Sequence, residues 1–158
     1  MGCQVVSGGA VGCDTAALDA ASGASGATIS ILPYGLGQFR GESPPGRVLL
    51  SLSEWEEPFS RKRAMERNLL IYAASPITIV GAARFREGGT WHGAMEAIRR
   101  RITRLAVRRT DEDDDESSRR AARALVGLGA QYLDKPSSLH RLFADELPQS
   151  QYSLFRAG

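Results

Sequence analysis

Short apolar runs alternate with longer segments of helical character, and this alternation constrains the fold more than any other feature of the chain. Thr28–Leu32 stops at Pro33, and Ile77–Val80 follows Pro76, so a residue that breaks regular structure bounds each run. Both runs are rich in β-branched residues, which is typical of strands buried on both faces. Because helical segments join such strands, we predict the α/β class, with a parallel sheet covered by helices on both faces.

The same patterns place the remaining elements. Strands are predicted at residues 3–6, 28–32, 48–52, 77–80 and 105–107, and the last of these completes the sheet. Helices are predicted at residues 14–21, at 60–74, from 90 onward, at 118–128 and, briefly, near 139–143. The spacing of Trp91, Met95, Ile98 and Ile102 predicts a helix face packed on the sheet. We therefore expect one domain at residues 1–135 and a C-terminal tail at 136–158.

Composition bounds the function less than the fold. The 158 residues, 42% of them hydrophobic, suit one ordinary globular domain. The formal net charge is only +2, so any basic binding site must be local. No apolar run approaches the length that spans a bilayer, and Cys3 and Cys13 form neither a disulfide framework nor a CxxC pair. We expect a soluble cytoplasmic protein without a membrane partner.

Two glycine-containing loops each follow a predicted strand and precede a predicted helix. In parallel sheets, ligands bind beyond the carboxyl ends of the strands, where backbone N–H groups and helix N-termini face an anion. Neither loop matches GxGxxG or the P-loop, and each alone is equally consistent with a plain connection. Two such loops in one small sheet favour a phosphate or nucleotide site made of Ser7, Gly8, Gly9, Gly12, Asp14, Gly88, Gly89 and Thr90.

Five segments, in the same order, resemble the DNA-processing protein family DprA/Smf. Ser7 to Ala17 is similar to the family pattern S-G-x-A-x-G-x-D-x-x-A. The other four are Ser53-Glu54-Trp55 with Phe59, then Arg67-Asn68-Leu69-Leu70-Ile71-Tyr72-Ala73-Ala74-Ser75, then Glu87-Gly88-Gly89-Thr90, and finally Leu125-Val126-Gly127-Leu128-Gly129-Ala130. The order of the five segments is more specific than any one motif.

The resemblance implies an extended Rossmann fold that binds single-stranded DNA in a basic pocket, loads a RecA-type recombinase and forms a homodimer. It places Ser7, Gly8, Gly12 and Asp14 in the first loop, Arg67 and Asn68 on the basic edge, and Gly89 and Thr90 in the second loop. It implies no cofactor and no catalytic residue.

Four features depart from the family pattern. Val11 stands where the first loop usually has a basic residue, and Leu69 replaces the second Arg of R-N-R. The chain also begins at what would be the family's second strand, and the strand before it lies inside the family's sheet. We expect a truncated or misannotated start, a strand supplied by another chain, or a sheet that closes without it. We also expect no counterpart of the winged-helix domain often found at the family's C-terminus.

A basic segment lies on the predicted helix at 60–74. Arg61, Lys62, Arg63 and Arg67 are predicted to bind DNA because backbone phosphates suit such a basic patch, and the family resemblance adds Asn68 to them. The alternative is a solvated helix face whose cations pair with the nearby residues Glu56, Glu57 and Glu66. A second basic run, at residues 99–109, is expected to balance the acidic residues 111–116.

Two other functions stay open. One is a nucleoside-monophosphate phosphoribohydrolase resembling the Lonely Guy family, whose pattern is P-G-G-x-G-T-x-x-E; here Gly93 occupies the position of the glutamate, and Glu96 would have to replace it. The other is a small-nucleotide sensor. His92 and the acidic run lack metal-ligand spacing, so no metal is predicted. Trp91 is predicted to lie in the core, and the place of Trp55 is left open.

Overall fold

The computed structural model describes residues 3–144, and α-helices separate most of the strands along them, as predicted. The strands are β1 (Val5–Ser7), β2 (Thr28–Leu32), β3 (Arg47–Ser51), β4 (Ile77–Val80), β5 (Arg104–Arg108) and β6 (Gln131–Leu133). The helices are α1 (Cys13–Gly23), α2 (Arg61–Ala73), α3 (Gly88–Arg100), α4 (Glu116–Gly127) and α5 (Leu139–Ala144). Short 3-10 turns lie at Leu36–Gln38 and Pro136–Ser138.

All strand pairs are parallel, which confirms the predicted α/β class. The strands form two three-stranded sheets, ordered β1-β2-β3 and β4-β5-β6. In the first sheet, Ile29 of β2 lies between Val6 and Val48, and in the second, Ile79 lies opposite Ala106. Within the described residues β1 and β4 each pair with one neighbour only, so the strands form two separate sheets and not the single sheet that was predicted.

The prediction that residues 105–107 complete the sheet is wrong. A sixth strand, β6, follows α4 and pairs with Ala106–Arg108 of β5. It has only three residues, and Gln131 at its start is exposed, so neither apolar continuity nor alternation marks it in the sequence. Pairing with β5 makes this segment a strand, and that pairing is a tertiary contact.

Helices cover both faces of the second sheet. On one face, Leu105 and Val107 of β5 lie in a buried cluster with side chains of α3 and α4. On the other face, Ile77 and Ala106 pack against Leu142 of α5. Because successive strand residues point to opposite faces, these two clusters lie on opposite sides of the sheet. The predicted short helix near residues 139–143 is thus part of the packed structure, while the domain boundary at 135 stays a prediction.

The α3 face that packs on the sheet is centred on small residues. Trp91 is 7% exposed, which confirms its predicted place in the core, and Ala94 and Ala97 are 0% exposed. Met95 and Ile98 are only half-buried beside them. The alanines bring the helix backbone close to β5, so the larger residues lie on the flanks of the contact.

Capping residues determine where two of the helices begin. Ser60 Oγ accepts a hydrogen bond from the Arg63 N–H at 3.2 Å and starts α2. Asp115 accepts from the Ser118 N–H at 2.9 Å and starts α4, and the Ser118 hydroxyl, which donates to the same carboxylate, holds the pKa of Asp115 below its usual range. Both caps satisfy backbone donors that have no partner inside the helix.

The buried side chain of Arg67 joins α2 to the first sheet. Arg67 is 7% exposed, and its Nη1 donates to the carbonyl oxygen of Ile31 at 2.8 Å. Burial lowers the pKa of Arg67, which the charge of nearby Asp14 partly offsets. A Cβ on Gly8 would lie 1.7 Å from Arg67 Nη1, so only a glycine leaves room for this guanidinium.

We expect Leu125→Ala to destabilise the protein by about 2–5 kcal/mol, because Leu125 is fully buried and its truncation leaves a cavity. Leu128→Ala is the matched control, since Leu128 is 49% exposed, and should change the free energy of unfolding by less than about 0.5 kcal/mol. Urea denaturation followed by circular dichroism measures both. Equal losses would contradict the assignment of Leu125 to the core.

We expect Gly8→Ala to destabilise the protein by roughly 1–3 kcal/mol, because the new methyl group displaces Arg67 and leaves the Ile31 carbonyl without its donor. Gly127→Ala serves as the control, since a Cβ there meets nothing within 4 Å, and should leave stability unchanged or raise it by up to about 1 kcal/mol. Thermal unfolding of both variants checks this, and a Gly8→Ala protein as stable as the wild type would show that the guanidinium tolerates the methyl group.

Candidate functional site

The first glycine loop, residues 7–12, is organised by the carboxylate of Asp14. Asp14 Oδ2 accepts hydrogen bonds from the N–H of Gly8 at 3.1 Å and from that of Ala10 at 3.3 Å. Gly9 and Gly12 have φ values of 68° and 111°, in the left-handed region that favours glycine. Asp14 therefore occupies the donors that were predicted to face a phosphate, and an incoming anion would compete with this carboxylate.

The second loop runs directly into α3. Gly88, Gly89 and Thr90 form the first turn of this helix, which begins two residues earlier than predicted. A cleft of about 360 Å³ lies beside them, lined by Ala82, Ala83, Arg84, Glu87, Gly88, Thr90, Asp115 and Ser118. Its charged lining is one guanidinium and two carboxylates, so the cleft itself does not favour an anion. Residues of the first loop do not line it.

Helix α2 brings the two loops together. Arg67 packs on Gly8 of the first loop, and Asn68, the next residue, packs on Gly89 of the second, where a Cβ would lie 2.7 Å from its amide nitrogen. One turn later, the Tyr72 hydroxyl donates to the Thr90 carbonyl at 3.1 Å. The predicted loop residues thus lie on either side of the middle of α2, beyond the carboxyl ends of β1 and β4.

Tyr72 is a second buried titratable side chain of this region, besides Arg67. It is 5% exposed, and burial raises the pKa of its hydroxyl, to which the charge of Asp14 adds. Its hydroxyl therefore stays protonated and acts as a hydrogen-bond donor that anchors α2 to α3. This contact is structural, since the acceptor is a backbone carbonyl.

The five predicted DNA-binding residues differ in how freely they present charge. Arg61 and Lys62 are exposed, with Lys62 Nζ 3.9 Å from a Glu66 carboxylate oxygen. Arg63 forms an ion pair with Glu57. The alternative prediction, that cations of this helix pair with nearby glutamates, is therefore confirmed for part of the patch. Arg67 and Asn68 are directed into the protein against the two loops. The exposed cations of the segment are at the amino end of α2.

The second basic run pairs with more than the acidic loop. Arg108 pairs with Asp111 and Asp114, as the charge balance predicted. Arg99 and Arg100 instead pair with Glu96, and their hydrogen bonds, that of Arg99 foremost, lower the pKa of Glu96 to about 2. These cations are largely compensated within the chain.

Sequence reasoning missed a cluster around Phe85. The guanidinium carbon of Arg86 lies 5.1 Å from the centroid of the Phe85 ring, and that of Arg120 lies 4.6 Å from it. Arg86 adjoins Phe85 in the sequence, but Arg120 belongs to α4 and reaches the ring only in the folded structure. The order Arg84-Phe85-Arg86 is the one local signal of this site.

The remaining candidate residues of the described chain form no metal site. In the described part of the chain, no three His, Cys, Asp or Glu side chains are placed to hold a metal ion. His92 is exposed, as are the two free thiols of Cys3 and Cys13. Trp55 is 64% exposed. Across residues 3–144, none of the helices combines the length and apolar character that crossing a bilayer requires.

The fold is shared with two solved structures. DNA processing protein A from Streptococcus pneumoniae superposes with a TM-score of 0.73 at 24% identity, over 87% of this chain and 50% of that one. DNA processing protein A from Helicobacter pylori, described for its single-stranded DNA binding mode, gives 0.71 at 23% identity, over 90% and 66%. The chain thus spans one half and about two thirds of the lengths of these proteins. No curated protein matches it.

A model of one protein family matches nearly all of the described chain. The match covers residues 1–143 and therefore includes both glycine loops, α2 and the cluster around Phe85. The model is that of the DNA recombination-mediator protein A family, which agrees with the resemblance of the five sequence segments. On this match, the chain belongs to the DNA recombination-mediator protein A family.

Proposed function

We propose that this chain binds single-stranded DNA in DNA uptake or recombination, without catalysing a reaction. The observation that carries the proposal is the exposed pair of cations, Arg61 and Lys62, at the amino end of α2, the helix that packs against both glycine loops. Family membership supports the same function, as does the DNA-binding description of the Helicobacter pylori relative.

The cations that would contact DNA lie at the start of α2. Arg61 and Lys62 are exposed in the first turn, where the backbone N–H groups of the helix add partial positive charge. Such a surface attracts backbone phosphates of any sequence. Arg67 has a structural role, because it is buried and holds α2 against Gly8. Substituting it would change the fold of the site and not remove a phosphate contact directly.

A nucleotide is the alternative ligand of the same loops. The Thr90 hydroxyl and the first-turn N–H groups of α3 are donors that suit a phosphate. Against them stands Asp14, whose carboxylate already accepts from the first loop. A nucleotide phosphate in the first loop would therefore have to displace the Asp14 carboxylate, whereas a DNA backbone can bind at the exposed amino end of α2 without this change.

The phosphoribohydrolase alternative is less well supported. Its pattern requires a glutamate near the glycine loop, and Glu96 is the residue that would have to serve. The Glu96 carboxylate accepts from Arg99 at 2.6 and 2.9 Å and also pairs with Arg100. Its two guanidinium partners lower the pKa of this carboxylate to about 2. The Glu96 carboxylate is therefore already occupied by ion pairs, which does not favour the role of the catalytic glutamate.

The oligomer and partners are proposed on family grounds. We include a homodimer, a RecA-type recombinase as partner and a cytoplasmic setting, which suits the free thiols of Cys3 and Cys13. Light scattering of the purified protein tests the dimer, and a monomeric mass at micromolar concentration would contradict it.

We expect Arg61→Gln/Lys62→Gln to weaken binding of labelled single-stranded DNA, measured by fluorescence anisotropy across a salt series. The slope of log K against log salt should fall by about 1.4, since each lost phosphate contact contributes about 0.7. Arg99→Gln/Arg100→Gln removes the same charge from guanidiniums already paired with Glu96 and should change the slope little.

Wild-type behaviour decides between the functions. Salt-sensitive DNA binding that AMP and ATP do not displace agrees with the proposal. No DNA binding at low salt would refute it, and clear binding of AMP or ATP in that case would favour the nucleotide sensor.

A further inference from the structure

We propose that Arg86 and Arg120, placed around Phe85, form a second phosphate-binding point that extends the DNA site from α2 past the second glycine loop. This inference rests on the proposed DNA-binding function and deepens it. It assigns DNA contact to two residues that the sequence motifs do not indicate, one on the loop between β4 and α3 and one on α4.

Phe85 is a fixed platform rather than a mobile loop side chain. Its backbone N–H donates to Ser117 Oγ at 2.9 Å, which ties the loop to the first turn of α4. Its ring meets Trp91 edge-on, with 5.0 Å between centroids and 65° between planes. Because Trp91 lies in the core, the ring and the guanidinium groups on it have a defined position.

Arg86 and Arg120 place two positive charges around this one ring. Both residues are exposed, and within residues 3–144 no carboxylate forms an ion pair with either of them. Two guanidinium groups near one ring repel each other, and backbone phosphates that contact them relieve this repulsion. A phosphate offers several acceptor oxygens to each guanidinium group.

Neighbouring arginines differ from Arg86 and Arg120 because carboxylates lie close to them. Arg84 lines the cleft that also contains Glu87 and Asp115, and its positive charge contributes to lowering the pKa of Asp115. Arg119 and Arg123 share the carboxylate of Glu116. Among the arginines around this loop and the start of α4, Arg86 and Arg120 are thus the ones without a carboxylate partner in residues 3–144.

The backbone of Arg86 is consistent with a ligand contact. Its φ is 63°, in the left-handed region, within the turn closed by the bridge between Arg84 and Glu87. Glycine or asparagine would adopt this conformation with less strain. Residues kept in such conformations cluster at ligand-binding positions, and Arg86 stands two residues before Gly88, which begins α3.

Arg86 and Arg120 also supply positive charge that the family pattern places at positions 11 and 69. Val11 and Leu69 carry no charge, Arg67 is buried, and Arg63 is paired with Glu57. The positive charge available at the carboxyl edge therefore comes from the amino end of α2 and from the Phe85 cluster. A single strand that contacts both would pass the second glycine loop.

The test is fluorescence anisotropy with a labelled oligothymidine of about 20 nucleotides, long enough to span both points, across a salt series. Arg86→Gln/Arg120→Gln should lower the slope of log K against log salt by about 1.4 and weaken binding at every salt concentration. Arg109→Gln is the matched control: Arg109 lies 4.1 Å over the Tyr132 ring but is paired with Asp134, so its loss should leave binding unchanged.

Three outcomes are distinguishable. If the wild type binds and the double variant keeps the same slope, this inference is wrong while DNA binding at α2 stands. If the wild type does not bind at any salt concentration, both proposals fail. Arg120→Gln alone, a change on the exposed surface of α4, is measured beside the double variant, and a thermal midpoint equal to that of the wild type shows that its fold is kept. We then expect half of the double variant's change in salt slope. An unchanged slope overturns the assignment of Arg120.

Discussion

The buried guanidinium of Arg67 is the contact on which the arrangement of the site depends. It crosses from α2 to the carbonyl oxygen of Ile31 at the end of β2, and it fills the space that Gly8 leaves by having no side chain. A charged group is buried at a cost, which its hydrogen bond and the nearby carboxylate of Asp14 offset only in part. Through this contact the first loop, β2 and α2 adopt one relative position, and the neighbouring residue Asn68 brings the second loop to the same helix.

Much of the fold follows from local sequence. The strands at 28–32 and 77–80 were predicted at their observed limits, because consecutive β-branched residues bounded by proline or glycine leave few alternatives. β6 was not predicted, since three residues carry no period and the strand exists through its pairing with β5. Likewise α3 begins at Gly88 rather than Thr90, and no side-chain cap marks that start in the sequence.

The candidate site was predictable in its components but not in its electrostatics. The two glycine loops were identified from their positions after strands, and α2 does join them. Arg63 and Arg67, one turn apart, gave no sign that one would pair with Glu57 and the other be buried. Nor does any spacing join Arg120 to Phe85, because the two meet only when α4 packs beside the loop after β4. Which charges are compensated is a property of the folded structure.

The division between β1 and β4 has a mechanical consequence. No ladder hydrogen bond crosses it within the described residues, so the two halves of the protein are joined by helix packing and by α2, whose Arg67 contacts one half while Tyr72 contacts the other. Opening along this seam breaks side-chain contacts but no strand pairing, so it costs less than unfolding either half. The first glycine loop belongs to one half and the second to the other. A ligand that touches both loops would therefore act as a clamp across the seam, and its binding energy would add directly to the resistance of the molecule to coming apart.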